Sequence, residues 1–594
     1  MASRSSRRDS PGVSRRDSPG VNRRTSPRQD EWQPRRSLQS GREVIVGDAV
    51  LAGDPTHPVT PSLAATSAAR LGGRAIALAG LVVVSGVVLS RLLGWVRVAV
   101  FAAEYGTGPQ IGAFFVAFRI PDTLFQLVAA GAVGSALVPV ASALMANGED
   151  ARARRLVATI ANLMVVALVP LAIVVWFAAP AIVPIIDSTS SASQLALEIE
   201  LTRWMMISPI FLAMAAAFTA GLNAAGVFGA PALAPNVYNL AIIGAAVVLT
   251  PFMGIEGLAA GVVLGAAGHM GIQAVAVRKE GLYGLVLDVH DPAVKETLKL
   301  MAPRALGLGV TQIVFLVNTF FAVQAHLGAA GEIHGIDIYT YAFTALQIPV
   351  GLIGVPLGIV LLPPLSQAIA RGDRDRFGRL VDQALRLTLY VVVPLTGLML
   401  VLATPTIGLL YQRGSFSPEA TSVTVPVFVV FLLGLVAHVL ISLLAPIFYA
   451  GKDTRTPVTA ALLAVAVDVV AAALLFPFFG LVGLALAIGL GAWAEVSMLF
   501  YFMRHRIGFD LQPLGLTVAF AIPGATLAAA GSLGVFRGLD GLAHGSAAFP
   551  VVACEVAISG LAGLAVYLGW SRLLRLTELS EALALVKTVL RRAD

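Results

Sequence analysis

The residues of this chain best suited to chemistry are ionisable side chains set inside apolar runs. Arg91 and Arg97 sit in Ser90-Arg91-Leu92-Leu93-Gly94-Trp95-Val96-Arg97, Arg119 and Asp122 lie three apart in a second run, and Asp468 and Glu495 stand in two late ones. An ionisable residue at the centre of a membrane helix costs about 2.5–3.5 kcal/mol on insertion scales, and is seldom kept without a partner or a cavity. At about 100° per residue, positions six apart lie about 120° from superposition, so Arg91 and Arg97 can line one broad cavity wall without touching. Arg119 and Asp122 can pair on one face or meet a ligand. Arginines gathered on a cavity are the chemistry of anion binding, because planar guanidinium makes charge-assisted, bidentate bonds to phosphate. Asp468, eleven residues past Pro457 and so about 16 Å into its helix, is the deepest acid.

Plainer readings stand beside these. Arg97, near the end of its run, is also placed to snorkel to the interface. Arg304 reads as an interfacial anchor, Arg386 as a structurally bonded group, and His269 on a Gly-rich face as a packed histidine. No P-loop, dinucleotide fingerprint, Ser/His/Asp arrangement or metal-ligand spacing competes, so no enzyme, cofactor or metal site is expected. Transport work would draw on a sodium or proton gradient, the membrane potential or product removal.

The elements that position these residues are membrane helices. Hydrophobic residues make up 57% of the 594 and charged residues 13%, against about 25% charged in soluble proteins. Apolar runs long enough to cross about 30 Å of hydrocarbon recur from Ile76 to Leu574, about fourteen in all. The predicted fold is an all-α polytopic membrane protein. Basic residues collect in alternate short loops (Arg152 to Arg155, Arg278 with Lys279, Arg371 to Arg379, Arg504 with Arg506), which places those loops and both termini in the cytoplasm. The net charge of +7 therefore follows membrane sidedness and is no sign of nucleic acid. A lone cysteine, Cys554, excludes any disulfide within the chain.

The chain also repeats itself. Pro139, Gly148, Glu149, Arg152, Arg155 and Pro170 recur 224 residues later as Pro363, Gly372, Asp373, Arg376, Arg379 and Pro394. Farther on, Pro231, Gly257, Gly265 and Arg278 match Pro457, Gly483, Gly491 and Arg504 at an offset of 226. One offset kept across prolines, glycines and arginines points to a duplicated six-helix unit, with a site between the halves. The expected organisation is a disordered basic tail over 1–70, a first lobe over 74–280, a cytoplasmic linker over 281–299, and a second lobe over 300–507. Two extra helices follow over 510–575, then a cytoplasmic tail over 576–594. Part of Leu282 to Lys299 reads as an interfacial amphipathic helix. The first tail carries near-perfect octads around Arg7-Arg8-Asp9-Ser10-Pro11, suited to anionic lipid contact or phosphorylation at Ser10 or Ser18.

Here the residues resemble a known family. The Ser90–Arg97 block, Ala113-Phe114-Phe115-Val116-Ala117-Phe118-Arg119-Ile120-Pro121, Asn318-Thr319-Phe320-Phe321-Ala322 and Pro349-Val350-Gly351-Leu352 are similar to the MurJ (MviN) family, over roughly residues 75 to 575. The resemblance implies a fourteen-span member of the multidrug, oligosaccharidyl-lipid and polysaccharide exporter superfamily in the bacterial cytoplasmic membrane. It would flip lipid II, the undecaprenyl-diphosphate-linked peptidoglycan precursor, among membrane lipids and cell-wall synthesis proteins. It implies that Arg91 and Arg97 meet the diphosphate or its sugar, and that spans 13 and 14 form a groove for the polyprenyl tail. The chain departs from the pattern at Gly112, Phe125 and Thr344, where relatives carry an acid and two arginines. Substrate binding would then shift onto Arg119 and Gln347, or the cargo is another lipid-linked glycan. Relatives also imply a cation site joining spans 7 and 11, here Asn318 and Asp468 with the two chemical types exchanged. A drug or cation antiporter and a scaffold for cell-wall enzymes are the competing functions. The two extra spans argue against the first, and the cost of keeping Arg91 and Asp468 in the membrane argues against the second.

Overall fold

The helical stretch Arg455–Arg506 is 52 residues long, about 78 Å at 1.5 Å per residue, against about 30 Å of hydrocarbon. It is a hairpin. Gly480 leaves helical geometry at φ 53°, ψ −132°, and past it the chain returns along itself. A Cβ on Gly483 would lie 2.6 Å from the Leu475 carbonyl oxygen, and one on Gly491 would lie 2.9 Å from that of Ala464.

The computed structural model describes residues 73–128, 132–328, 333–451, 453, 455–543 and 548–581. The Arg-Ser-Pro tail, Lys452 and the terminal Lys587, Arg591 and Arg592 lie outside them, as does the side chain of Arg304. The first half runs α1 (Gly73–Tyr105), α2 (Pro109–Val128), α3 (Ala132–Ala146), α4 (Asp150–Ile186), α5 (Ala192–Met205), α6 (Ser208–Ala224), α7 (Gly229–Val248), α8 (Thr250–Met253) and α9 (Glu256–Lys279). The second half holds α10 (Pro292–Val323), a two-stranded β1 (His326–Leu327) and β2 (Ile333–His334), and α11 (Gly335–Pro349), which passes through the π-helical turn Val350–Gly354 into α12 (Val355–Ala370). It continues through α13 (Arg374–Val401), α14 (Ala403–Tyr411), α15 (Pro418–Leu433), α16 (Leu435–Ala450) and the hairpin α17 (Arg455–Phe502). Last come α18 (Gln512–Leu542), packed on α13, and α19 (Phe549–Leu573), packed on α18.

Ten of the described helices are long and apolar enough to cross a membrane, or eleven when the pair α15–α16, bent by 43°, is taken as one span. The expected fourteen is not reached on that criterion. Part of the difference is the α17 hairpin, which counts as a single helix. Apolar segments Val133–Ala146 and Gln312–Val323 are too short to qualify alone.

The duplication is visible in the backbone. Helix α3 ends at Gly148 (φ 79°), whose amide donates to Met145 O at 3.2 Å while that of Glu149 donates to Leu144 O at 2.9 Å. At the end of α12, Gly372 (φ 68°) donates to Ile369 O and Asp373 to Ala368 O, both at 2.9 Å. These are the paired bonds of a helix stop that needs a residue in the left-handed region, so glycine stands at both. Close packing repeats too: a Cβ on Gly265 would lie 2.9 Å from Tyr238 O, the counterpart of Gly491 against Ala464. In membranes such small residues let helices approach closely where apolar burial alone cannot drive association.

Only the second part of the linker is helical. Residues 283–291 are non-helical, and 292–299 are the first turns of α10. Asp291 accepts from Ala293 N at 2.7 Å, and Pro292 follows at the first helical position, a start signal that hydropathy alone does not register. The segment is strapped along α4. Arg152 donates to both Asp291 carboxylate oxygens at 2.9 and 3.0 Å. Asn162 Nδ2 donates to Gly284 O and Val286 O at 2.9 and 2.8 Å.

Candidate functional site

At one end of the bundle the two halves touch backbone to backbone. Gly106, after α1, and Gly414, after α14, both have positive φ (63° and 58°). A Cβ on Gly106 would lie 2.2 Å from Ser415 O, and one on Gly414 would lie 2.2 Å from Ala103 O. Ser415 N donates to Ala103 O at 2.8 Å, Tyr341 Oη to Gly106 O at 2.7 Å, and Gly108 N to Asp337 Oδ2 at 2.8 Å.

Below the seam lies a cavity of about 170 Å³ between the halves. Its walls are aromatic: Phe101 of α1, Phe114, Phe115 and Phe118 of α2, Phe315 of α10, and Tyr339 and Phe343 of α11. Phe114 meets Phe101 edge-on at 5.5 Å and stacks on Phe118 at 6.0 Å. Two cations break that wall. Arg97 lies over the Tyr238 ring at 5.9 Å, and Arg119 over the Phe315 ring at 5.6 Å. Both Nε atoms are buried without a hydrogen-bond partner. Two guanidiniums with donors to spare, in a site walled by π-faces, can take an anion together with flat or sugar-like groups.

Arg91 and Gln347 are not part of that lining. Arg91 is exposed about 9 Å farther down α1, its Cδ lying 3.2 Å from where a Cβ on Gly351 would stand in the π-helical turn. Gln347 is exposed three residues beyond Thr344, which does line the cavity. Of the two readings of Arg119 and Asp122, a local pair or a ligand contact, the pair is absent from the ion pairs of the described residues; Arg119 lies over Phe315. Arg386 is held structurally by Asp382 at 2.9 Å and Glu578 at 3.4 Å. His269 faces the Tyr238 ring at 6.4 Å.

Asn318 of α10 and Asp468 of α17 meet as a buried pair. Asn318 Nδ2 donates to Asp468 Oδ2 at 3.0 Å. Asn318 Oδ1 and Asp468 Oδ1 are both buried without partners. By the internal repeat, Asp468 occupies the place of Ile242, which lines the cavity: a Cβ on Gly491 would lie 3.2 Å from the Asp468 Cβ, as one on Gly265 would lie 3.4 Å from Ile242 Cγ1.

The family model described as "Lipid II flippase MurJ" matches residues 101–539. The chain belongs to the MurJ family. A probable lipid II flippase MurJ of Rhizobium meliloti (strain 1021) is 34% identical over 494 residues, covering 80% of this chain and 90% of the relative. The lipid II flippase MurJ of Burkholderia cenocepacia is 31% identical, covering 76% and 88%. Among solved structures, a lipid II flippase MurJ in an inward closed conformation superposes with a TM-score of 0.69 at 23% identity, covering 83% of this chain and 98% of that one. An inward-facing multidrug MATE transporter superposes at 0.61 with 15% identity, covering 72% and 98%. These two show a shared all-helical transporter fold.

Set beside MurJ relatives, the departures acquire positions. Where an acid was expected, Gly112 leaves room that Asp337 of α11 occupies: its Oδ1 lies 3.3 Å from where a Cβ on Gly112 would stand, buried and unpartnered. The sequence reading missed Asp337, which looked like one acid in a lightly charged loop. Phe125 packs into the apolar core of the first half with α3 and α4, away from the cavity.

Proposed function

We propose that this chain moves lipid II between the leaflets by alternating access, the diphosphate held by Arg97 and Arg119 between the two lobes. The observation that carries the reading is this pair of guanidiniums, each with a buried Nε free of any hydrogen bond, in an interlobe cavity beside the Gly106–Gly414 seam. At about 170 Å³ the cavity is smaller than the roughly 300–1,000 Å³ of ordinary ligand sites, so a disaccharide-peptide headgroup enters only when the lobes separate. Arg91, exposed on the path to the cavity, meets the diphosphate first; Thr344 and Gln347 face the glycan later. The α18–α19 hairpin gives the polyprenyl tail a lipid-facing groove, a part a twelve-span drug antiporter does not need.

Asn318 and Asp468 fit a hard cation in part, since each keeps one buried oxygen free, and sodium or a proton there would bias the lobes toward one face. Asp468→Asn keeps an acceptor for Asn318 and removes only the charge. It is expected to fold normally, to shift stability by about 1 kcal/mol or less, and to lose sodium or pH dependence of transport. A wild type whose transport ignores both sodium and pH sinks the coupling role.

In cells depleted of their own lipid II flippase, this chain is expected to restore lipid II to the outer leaflet. Continued inner-leaflet accumulation, with the protein correctly inserted, counts against the reading. For sidedness, cysteines at Arg155 and Arg376 in a Cys554→Ser background are expected to resist impermeant thiol reagents in intact cells, and one at Ser191 to react. The reverse pattern overturns the cytoplasmic placement of both termini.

A further inference from the structure

A second cavity, of about 470 Å³, lies where α18 ends and α19 begins. Its lining is apolar, with Leu539 and Leu542 from α18 and Pro550, Val551 and Ile558 from α19, except for Glu555. Glu555 stands six residues, about 9 Å, into α19. It is 4% exposed, and its Oε1 has no hydrogen-bond partner. No ion pair among the described residues involves it. Arg413, at the same end, lies over the Phe549 ring at 5.0 Å instead.

A carboxyl oxygen kept in an apolar pocket without a donor is costly, and in a membrane protein an ionisable group so placed marks a ligand more often than a packing role. Other buried acids of this chain keep at least one bonded oxygen: Glu578, for one, accepts from Thr517 at 2.8 Å and from Arg386 at 3.4 Å. The rim of the pocket is exposed hydrocarbon, Leu542 at 77% and Ile558 at 49%, so its neighbours in a bilayer are lipids. Beyond apolar contact, its one chemical offer is an anionic acceptor.

We infer that this pocket binds a phospholipid whose headgroup carries a primary ammonium, its N–H groups donating to Glu555 and its first methylenes lying along Leu539, Leu542 and Ile558. A polyprenyl tail in the same hairpin groove needs no carboxylate, so this site goes beyond the cargo reading and does not depend on it. A quaternary ammonium has no N–H to donate and fits poorly.

Cys554 lines the same pocket, is exposed, and is the only cysteine, so the protein carries its own reporter. The full chain in detergent micelles doped with phosphatidylethanolamine or with phosphatidylcholine of the same acyl chains is alkylated with a maleimide. Phosphatidylethanolamine is expected to slow labelling of Cys554 at least fivefold, phosphatidylcholine less than twofold, and Glu555→Gln to erase the difference at an unchanged melting temperature. Equal protection by both lipids overturns the proposal, as does undiminished protection by the ethanolamine lipid in Glu555→Gln. If the glutamine variant fails to fold, the two-lipid comparison on the unaltered protein still decides.

Discussion

Arg97→Ala and Arg119→Ala are each expected to cut lipid II flipping by roughly 10- to 150-fold, the equivalent of about 1.5–3 kcal/mol for a charge-assisted hydrogen bond lost in a water-poor site. Both side chains line the interlobe cavity and both hold an unpartnered Nε. If they grip one diphosphate, the double variant falls short of the product of the two losses, since groups sharing a ligand do not add. Lysine at either position is expected to recover part of the activity, because it restores charge without the bidentate fork. Arg91→Ala is expected to lose less than Arg97→Ala at saturating substrate and more at low substrate, as suits a residue on the approach. The measurement is leaflet-specific lipid II at matched membrane expression. Near-wild-type flipping by both alanine variants moves the anion site elsewhere.

Gly414→Ala is expected to cost at least as much, by a different route. The added Cβ would stand 2.2 Å from a backbone oxygen of the opposite lobe, where no side chain can swing away, so the closed seam cannot form. The variant is expected to stay open at that end. Thr344→Cys, in a Cys554→Ser background, should then be labelled from the seam side in the variant and protected in its parent. Gly148→Ala supplies the control: it bears the same strain of positive φ, about 1–2 kcal/mol, but an added Cβ there meets nothing within 4 Å. Flipping lost in Gly414→Ala and kept in Gly148→Ala ties the defect to the seam. Equal activity in both removes the seam from the transport cycle.

Much of this was legible in the sequence because membrane helices announce themselves. Arg91, Arg97 and Arg119 stood out against apolar runs; the structure brings Arg97 and Arg119 to the cavity and leaves Arg91 exposed outside its lining. The repeat offset located turns whose hydrogen bonds recur atom for atom. What stayed hidden depends on contacts distant in sequence. Arg119 and Asp122 have the right spacing to pair, yet folding sets Arg119 over a ring of α10 and forms no salt bridge between them. Asp337 looked like a loop residue until folding set it against Gly112, 225 positions earlier in the chain. The Gly106–Gly414 seam leaves no periodic trace, since two glycines in separate turns carry no hint of each other.

The helix stop at Gly148 and its twin at Gly372 behave as interchangeable parts. Each is a local device, complete within six residues, and neither refers to the lobe that carries it. Where the two copies stay alike, the chain has reused a joint. Where they part, as Ile242 and Asp468 do on matching faces, one inherited fitting has become two different tools. A symmetric ancestor would have carried the same side chains on both lobes; here the first brings Arg97 and Arg119 to the interlobe cavity, and the second sets Asp468 against Asn318.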